Sequence, residues 1–468
     1  MNTFAIIGAG FSGTVAAIEF LNRATGDAQL VMINRSGSIA RGLAYGTNSP
    51  QHLLNVPAGN MTALADEPNS FLEYCRKQGQ EVASNSFISR KTYGDYLEKL
   101  LDNAITTASP RVRTKKIIAE VLSLTRSEQG AAITLSNGET LQANQVALAF
   151  GHFPPANPPA LEAIVKTHFF QRDPWQQRAP SHHSKSSTIL LIGGGLTAID
   201  VITNLIKSGH TGKIYMLSRR GILPQTHRVS RSNSMIGNST STLLLNSPPS
   251  IAKYFRIIRQ EINKNSLQGI DWRDIIASIR PITSELWTRL SDYERRKFLR
   301  HAQSYWDAHR HRVAPETYQI LEAALAGNQV VPIAGRINSI EVKDSLVTVD
   351  IKSRRKEVIQ KVTASLIINC TGPSSDLRKS TDPLINQLMK DDLISADTLG
   401  LGLRVEDTLF VKNSTDLPSN WLSYVGPMLK ADRWESTAVP ELREVARSLA
   451  IKICEIFEQG QTPPTSKH

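Results

Sequence analysis

The chain has 468 residues, 40% hydrophobic and 21% charged, the balance of a globular protein too long for one ordinary core. No apolar run approaches the roughly 20 residues of a membrane span, and the first residues lead directly into a strand rather than a secretion signal. The formal charge of +12 is spread without basic tracts, which speaks against nucleic acid and for anionic cofactors or plain solvation. Three separated cysteines (Cys75, Cys370, Cys454) fit a reducing cytoplasm and exclude a vicinal redox disulfide.

The first predicted strand, Thr3–Ile7, runs into Gly8-Ala9-Gly10-Phe11-Ser12-Gly13 and then a helix-forming stretch. Such a turn needs one glycine to bend, a second for close approach of a pyrophosphate, and a small third residue for helix–strand packing. The N–H groups at the helix start, Phe11 and Ser12 included, then face the phosphates. A strand over Gln29–Ile33 ends at Asn34-Arg35, where an acidic residue ordinarily binds the ribose hydroxyls. Asn34 can accept one uncharged hydrogen bond there, or Asn34 and Arg35 can receive a phosphorylated ribose. The loop Arg41–Ala58 offers His52 and Asn55 as polar members. Arg90, further on, pairs either with a phosphate or ribose or with a surface acid. Short alternating strands at Ala119–Thr125 and Ala131–Leu135 precede the apolar run Gln145–Phe150, which closes at Gly151-His152. Residues 1–175 thus read as the first part of one domain, with a linker over Gln176–Ser187.

The plan then repeats. The strand Thr188–Ile192 enters Gly193-Gly194-Gly195-Leu196-Thr197-Ala198 and a helix, and the next strand, Lys213–Leu217, ends at Ser218-Arg219-Arg220. A serine and two guanidinium groups favour a 2′-phosphate, where a carboxylate would favour a free hydroxyl. A helical insert is expected at about 230–325, its first part, Ser230–Ser250, a surface loop. Strands at Ile337–Val342, Leu346–Ile351 and Ser365–Cys370 follow, and the last closes at Gly372 as the earlier unit closes at Gly151. This pseudo-repeat predicts an α/β fold of two Rossmann-like dinucleotide-binding domains with β-meanders, the second spanning 186–372. In the insert, His309 and His311 cannot share a metal from one helix. His309-Arg310-His311-Arg312 reads as a cationic edge to the interdomain cleft or as a hydrogen-bonded corner. Residues 373–468 contain a helix start at Ser436-Thr437-Ala438-Val439-Pro440-Glu441 and end in a polar tail from Gln459.

Several stretches together resemble the FAD/NAD(P)-binding protein family often called YdhS-like, among flavoproteins related to the flavin-containing and N-hydroxylating monooxygenases. They include Arg41-Gly42-Leu43-Ala44-Tyr45-Gly46-Thr47, His52-Leu53-Leu54-Asn55-Val56-Pro57-Ala58, Asp173-Pro174-Trp175, Trp306-Asp307-Ala308-His309-Arg310-His311-Arg312 and Trp434-Glu435-Ser436-Thr437. The resemblance implies FAD on the first turn and a nicotinamide dinucleotide, by the arginines NADPH, on the second. The Arg41–Ala58 loop would wrap the flavin, Gly151 and Gly372 would sit beside the cofactors, and residues 373–468 would return to the FAD domain. The late helix would point its N-terminus, Thr437 and Ala438, at the flavin. It further implies an NADPH-dependent FAD oxidoreductase, a monooxygenase hydroxylating a small molecule such as an amine through a flavin hydroperoxide. A flavin reductase passing electrons elsewhere and a non-catalytic dinucleotide sensor remain alternatives, and oligomeric state is not readable.

Overall fold

The computed structural model describes residues 1–128, 130–175, 184–228, 239–354 and 358–459. In its first unit, the near-continuous apolar runs Asn2–Ile7, Ala28–Asn34 and Gln145–Leu148 form parallel strands covered on both faces, as such composition requires, while Val112–Ile118 is a polar edge. β1 (Asn2–Ile7) leads through α1 (Phe11–Leu21) to β2 (Ala28–Asn34). After a helix α2 (Arg90–Thr107), capped by Ser89 Oγ, the chain adds β3 (Val112–Ile118). A separate three-stranded meander, β4 (Val121–Ser127), β5 (Gly130–Leu135) and β6 (Thr140–Ala143), intervenes before β7 (Gln145–Leu148) pairs in parallel with β1. β1 therefore has β2 on one side and β7 on the other. That is a topological switch point, with its crevice at the carboxyl ends of the strands.

The second unit repeats this around β9. The strands are β8 (Phe170–Gln171), β9 (Ile189–Ile192), β10 (Ile214–Ser218), β11 (Val330–Lys343), β12 (Leu346–Ser353), β13 (Ile359–Ala364) and β14 (Leu366–Asn369). Helix α3 (Leu196–Lys207) crosses from β9 to β10, and β14 lies on the other side of β9. Here the meander is continuous with the parallel sheet, because β11 is long enough to pair with β10 at its start and with β12 beyond Gly335.

The insert forms helices from Ser239 to Ala326. The loop expected over 230–250 is a helix at Ser239–Leu245, held by burial of Leu244 in the insert core; residues 229–238 lie outside the described residues. That core, with Tyr254, Trp287, Phe298 and Trp306, is completed by Leu401, Ala431 and Trp434 from the C-terminal part. Trp287 Nε1 donates to the Ala431 carbonyl at 2.8 Å. Near the end of the insert lies α4 (Gln303–Arg310). The chain then returns to the first sheet. β15 (Phe410–Lys412) and β16 (Pro418–Tyr424) extend it beside β7, and α5 (Val439–Gln459) packs along α1, with the rings of Phe20 and Phe457 6.0 Å apart. Of the expected linker, 176–183 lies outside the described residues, as does the tail beyond Gln459.

Candidate functional site

Both glycine turns have one construction. Gly8 adopts φ +103° and Gly193 φ +123°, conformations that L side chains rarely adopt. A Cβ on Gly8 would lie 2.7 Å from the Ala149 carbonyl oxygen beyond β7, and one on Gly193 would lie 2.2 Å from that of Cys370 beyond β14. Each turn thus nests against the end of the strand on the far side of the switch point, two residues before Gly151 and Gly372. At the third position Gly13 is obligatory, since a Cβ there would come 2.0 Å from the Gly8 oxygen, whereas the second turn accommodates the buried Ala198. Neither α1 nor α3 has a side-chain cap, so both present bare N-termini. Leu196 and Thr197 open α3. At the start of α1, Ser12 is buried and the Phe11 ring packs near Tyr45 and Tyr93.

The surroundings of the two turns differ. Over the first, Ala40 N–H bonds the Ala9 carbonyl, and Gly42, at φ +54°, sits on Gly10. A Cβ on Gly42 would be 2.9 Å from Gly10 Cα. The bare face of Gly10, expected to admit a phosphate, meets Gly42 of its own chain. Asn34, expected at a ribose, has its amide in use: Oδ1 accepts from Ala9 N–H at 3.2 Å and Nδ2 donates to the Ser36 and Ser38 carbonyls. It locks the glycine turn to the loop after β2. Arg35 turns outward to Asp382 and Glu120.

The second turn is open: a Cβ on Gly195 would meet nothing within 4 Å. Ser218 Oγ accepts from Gly221 N–H and shapes the bend after β10. Arg220 bonds the Arg300 carbonyl at 2.7 Å and lies 5.2 Å over the Tyr305 ring. Arg354, from the end of β12, reaches the same tyrosine, and the two guanidinium groups lower its phenol pKa. Arg219 is exposed and has no partner among the described residues.

Between the turns the domains are joined by charge. Arg90 donates to the Leu53 carbonyl at 3.1 Å and to Asp200, on α3, at 2.7 Å. It is a half-buried interdomain ion pair, neither a surface pair nor free for a phosphate. His52 is buried beside it, bonded to Thr47 Oγ1 and edge-on to Trp175, and burial lowers its pKa. The Asn55 carbonyl receives His227 from the second domain at 3.0 Å. Burial and nearby arginines push His227 down to about 4.

The insert closes the far side. Arg310 lies 2.9 Å from the nearly buried Glu435, Arg280 pairs with Glu441, and the Lys430 ammonium sits 4.2 Å over Trp434. His309 packs on Trp272 while His311 faces Asp307 at 3.6 Å, so the two histidines occupy different surroundings. Helix α5 begins at Val439. The Ala438 carbonyl takes the first helical bonds, so Thr437, whose N–H bonds Glu435, lies one residue before the cap expected of it.

Residues 5–153 match a family model described as FAD-NAD(P)-binding. No curated protein matches the chain. Among solved structures it is similar to L-lysine 6-monooxygenase from Pseudomonas syringae (15% identity, 99% of this chain and 100% of that one, TM-score 0.64). It is also similar to an ornithine N-hydroxylase of Kutzneria sp. 744 with reduced FAD, NADP+ and L-ornithine (14%, 97% and 99%, TM-score 0.62). A third is the bacillithiol disulfide reductase of Staphylococcus aureus (12%, 97% and 99%, TM-score 0.56). At these identities the likeness is one of fold: two Rossmann-like dinucleotide-binding domains. No helix among the described residues is long and apolar enough to cross a membrane.

The first turn offers an uncapped α1 N-terminus beside the Gly42 roof, and the second turn fits a dinucleotide through Gly195, the α3 N-terminus and the arginines. Sequence reasoning missed the roles of Asp200, His227, Tyr305 and Arg354, each contributed by an element remote in sequence from the residue it meets, and that of Lys430, which packs over Trp434 four residues on.

Proposed function

We propose that the protein is an NADPH-dependent FAD monooxygenase of the cytoplasm that places an oxygen atom on a small molecule, at an amine nitrogen. The reading rests on one arrangement: two glycine turns at two switch points, tied together through Leu53, Arg90 and Asp200. Gly8, Gly13, Gly151 and the α1 N-terminus would hold FAD; Gly193, Gly195, Leu196, Thr197, Gly372, Arg219 and Arg220 would hold NADPH. When bound, the two cofactors supply hydride transfer and oxygen activation, and the protein supplies position and electrostatics. Arg219, unpaired, and Arg220 and Arg354, flanking Tyr305, suit a 2′-phosphate with adenine stacking beside it.

A reductase that passes electrons to another acceptor is the second reading, favoured by the likeness to the bacillithiol disulfide reductase. Against a thiol-based form of it stand the buried cysteines, none paired, with thiols that burial holds in the protonated form. The test is the visible spectrum of FAD-loaded protein under NADPH, first without oxygen and then with it. Anaerobic bleaching followed by a transient near-ultraviolet-absorbing species supports the monooxygenase. Bleaching with prompt reoxidation supports the reductase, and failure to bind flavin overturns both.

A further inference from the structure

Arg228, Arg273, Arg310 and Arg312 converge where the insert rejoins the second unit, close enough for the other three to act on Arg312. Three of the four have carboxylates. Arg228 forks onto Asp274 with one contact at 2.9 Å, Arg273 lies 3.1 Å from Asp271, and Arg310 lies 2.9 Å from Glu435. Arg312 has none: among the described residues it makes no hydrogen bond and no ion pair, and its buried Nε lacks an acceptor. The stretch after Arg228, residues 229–238, contains no acid to supply one. Arg312 lies 5.9 Å over the Trp272 ring, which also carries Arg273 at 4.5 Å. The residue is half-buried and its Nη nitrogens are not enclosed with Nε, so a ligand can reach them.

An unmatched charge in a partly buried setting is costly, and proteins ordinarily pair it. The field here makes the mismatch plain. Burial and the charges of Arg310, Arg273 and Arg228 push the Arg312 guanidinium down to about 10. With burial, Arg312, Arg273 and Arg310 push the neighbouring His227 down to about 4. The place is also a seam. The His227 N–H bonds the Val313 carbonyl, and the His227 ring meets the Asn55 carbonyl of the first domain. Val313 and Ala314, next in the chain after Arg312, line a cavity between the units together with Leu53, Leu54 and Asn55.

We propose that Arg312 is the centre of an oxyanion site at this seam, taking a carboxylate or phosphate group that is not part of the dinucleotide. The dinucleotide phosphates have other donors in the α3 N-terminus and the corner at the end of β10. A guanidinium presents a planar fork matched to two oxygens of one anionic group. Arg310 adds a second buried Nε without an acceptor. Binding is association alone, with no bond made or broken, and the site is independent of the reaction proposed above.

The test titrates the full-length protein calorimetrically with sulfate, phosphate and acetate, and with methylammonium as the cation control. The oxyanions should bind and methylammonium should not; tighter binding of acetate assigns a carboxylate, and of phosphate or sulfate a phosphate group. Saturating NADP+ should leave the affinity unchanged. Arg312→Gln should weaken binding tenfold or more, the loss of a charge-assisted contact, and Arg312→Lys should recover part of it. Arg35→Gln, which removes an outward-facing arginine on another domain, should change nothing. Stability gives a second readout. Without oxyanions Arg312→Gln should unfold at higher urea than the parent, and sulfate should stabilise the parent alone. The third readout is the His227 ring in histidine-labelled protein, followed by NMR in sulfate, which keeps its charge across the titration. Sulfate should raise the His227 pKa in the parent and leave it unmoved in Arg312→Gln. No oxyanion binding, displacement by NADP+, equal loss in Arg35→Gln, or lower stability of Arg312→Gln overturns the proposal. If Arg312→Gln does not fold, parental oxyanion selectivity and the His227 shift decide, and absence of either overturns it.

Discussion

The two glycine turns share a backbone and differ in what covers them. The first is roofed by its own chain: Ala40 bonds Ala9, Gly42 lies on Gly10, and Asn34 bolts turn to loop. The second has open space beside Gly195 and an arginine corner at the end of β10. A roofed site suits a cofactor that stays, and an open one suits a cofactor that binds and leaves with each turnover. On the proposed reading one motif would serve two kinetic roles, with the difference lying outside the motif.

The sharpest way to break the comparison is steric. Gly42→Ala would put a Cβ 2.9 Å from Gly10 Cα at a φ of +54°, so it should lift the roof off the first turn at a cost of roughly 2–4 kcal/mol. Gly195→Ala meets nothing and should change stability by about 1 kcal/mol or less while weakening NADPH binding. Urea unfolding of both variants decides it, and equal losses would show that the second turn is as tightly packed as the first.

Next in size is the tie between the turns. Arg90 and Asp200 have side-chain exposures of 17% and 13%. Removing one partner of a buried pair costs about 3–5 kcal/mol, and this partial exposure reduces it to roughly 2–3. Arg90→Met should therefore destabilise by that amount and slow reduction of FAD by NADPH, and adding Asp200→Asn should restore part of the stability. A double-mutant cycle measures it, and additive losses would mean the turns are not coupled through this pair.

Arg219 separates the turns by ligand. Free of partners among the described residues, it can give its full charge to a 2′-phosphate, whereas Arg220 already bonds Arg300. Arg219→Ala should weaken NADPH by about 1.5–3 kcal/mol, roughly 10- to 150-fold, and leave NADH nearly unchanged. Arg220→Ala and Arg354→Ala should do less. An unchanged NADPH-to-NADH ratio in all three would remove the phosphate from this corner.

What was legible in the sequence was local. Gly8, Gly13 and Gly193 answer to turns and close approaches within a few residues of chain or one strand away, so their pattern carries the fold. Asn34 looked like a weakened ribose ligand because the sequence does not show that Ala9 N–H and the Ser38 carbonyl converge on its amide. Arg90 looked equally like a phosphate ligand or a surface charge, since Asp200 is 110 residues away in sequence. The strands β15 and β16 are short, follow irregular chain and were not recognised, although they complete the first sheet. The cap of α5 falls on Ala438, within the start expected over Ser436–Glu441, because the Thr437 N–H folds back on the Glu435 carbonyl.

The smallest expected effect tests whether the roof of the first turn senses acid through the second domain. His227 Nε2 meets a carbonyl, that of Asn55, so this nitrogen carries the hydrogen and Nδ1 is bare. Protonating Nδ1 would bring a second charge near Arg312, Arg273 and Arg310 in a buried setting, which is why the folded-state value is pushed to about 4. In the unfolded chain a histidine titrates near 6.5. The folded value is the lower one for a base, so the stabilisation is complete above pH 6.5 and is lost as pH falls from 6.5 toward 4. One proton corresponds to about 1.4 kcal/mol per pH unit. His227→Gln can still donate to Asn55 but cannot take the charge. From pH 7 to pH 5 the parent should lose about 1–2 kcal/mol more than this variant, measured by urea unfolding at each pH. His152 and His311, also pushed to about 4, titrate in both proteins and cancel in the difference. Parallel pH profiles would mean that His227 is hydrated when folded, and that the loop over the first turn moves independently of the second domain.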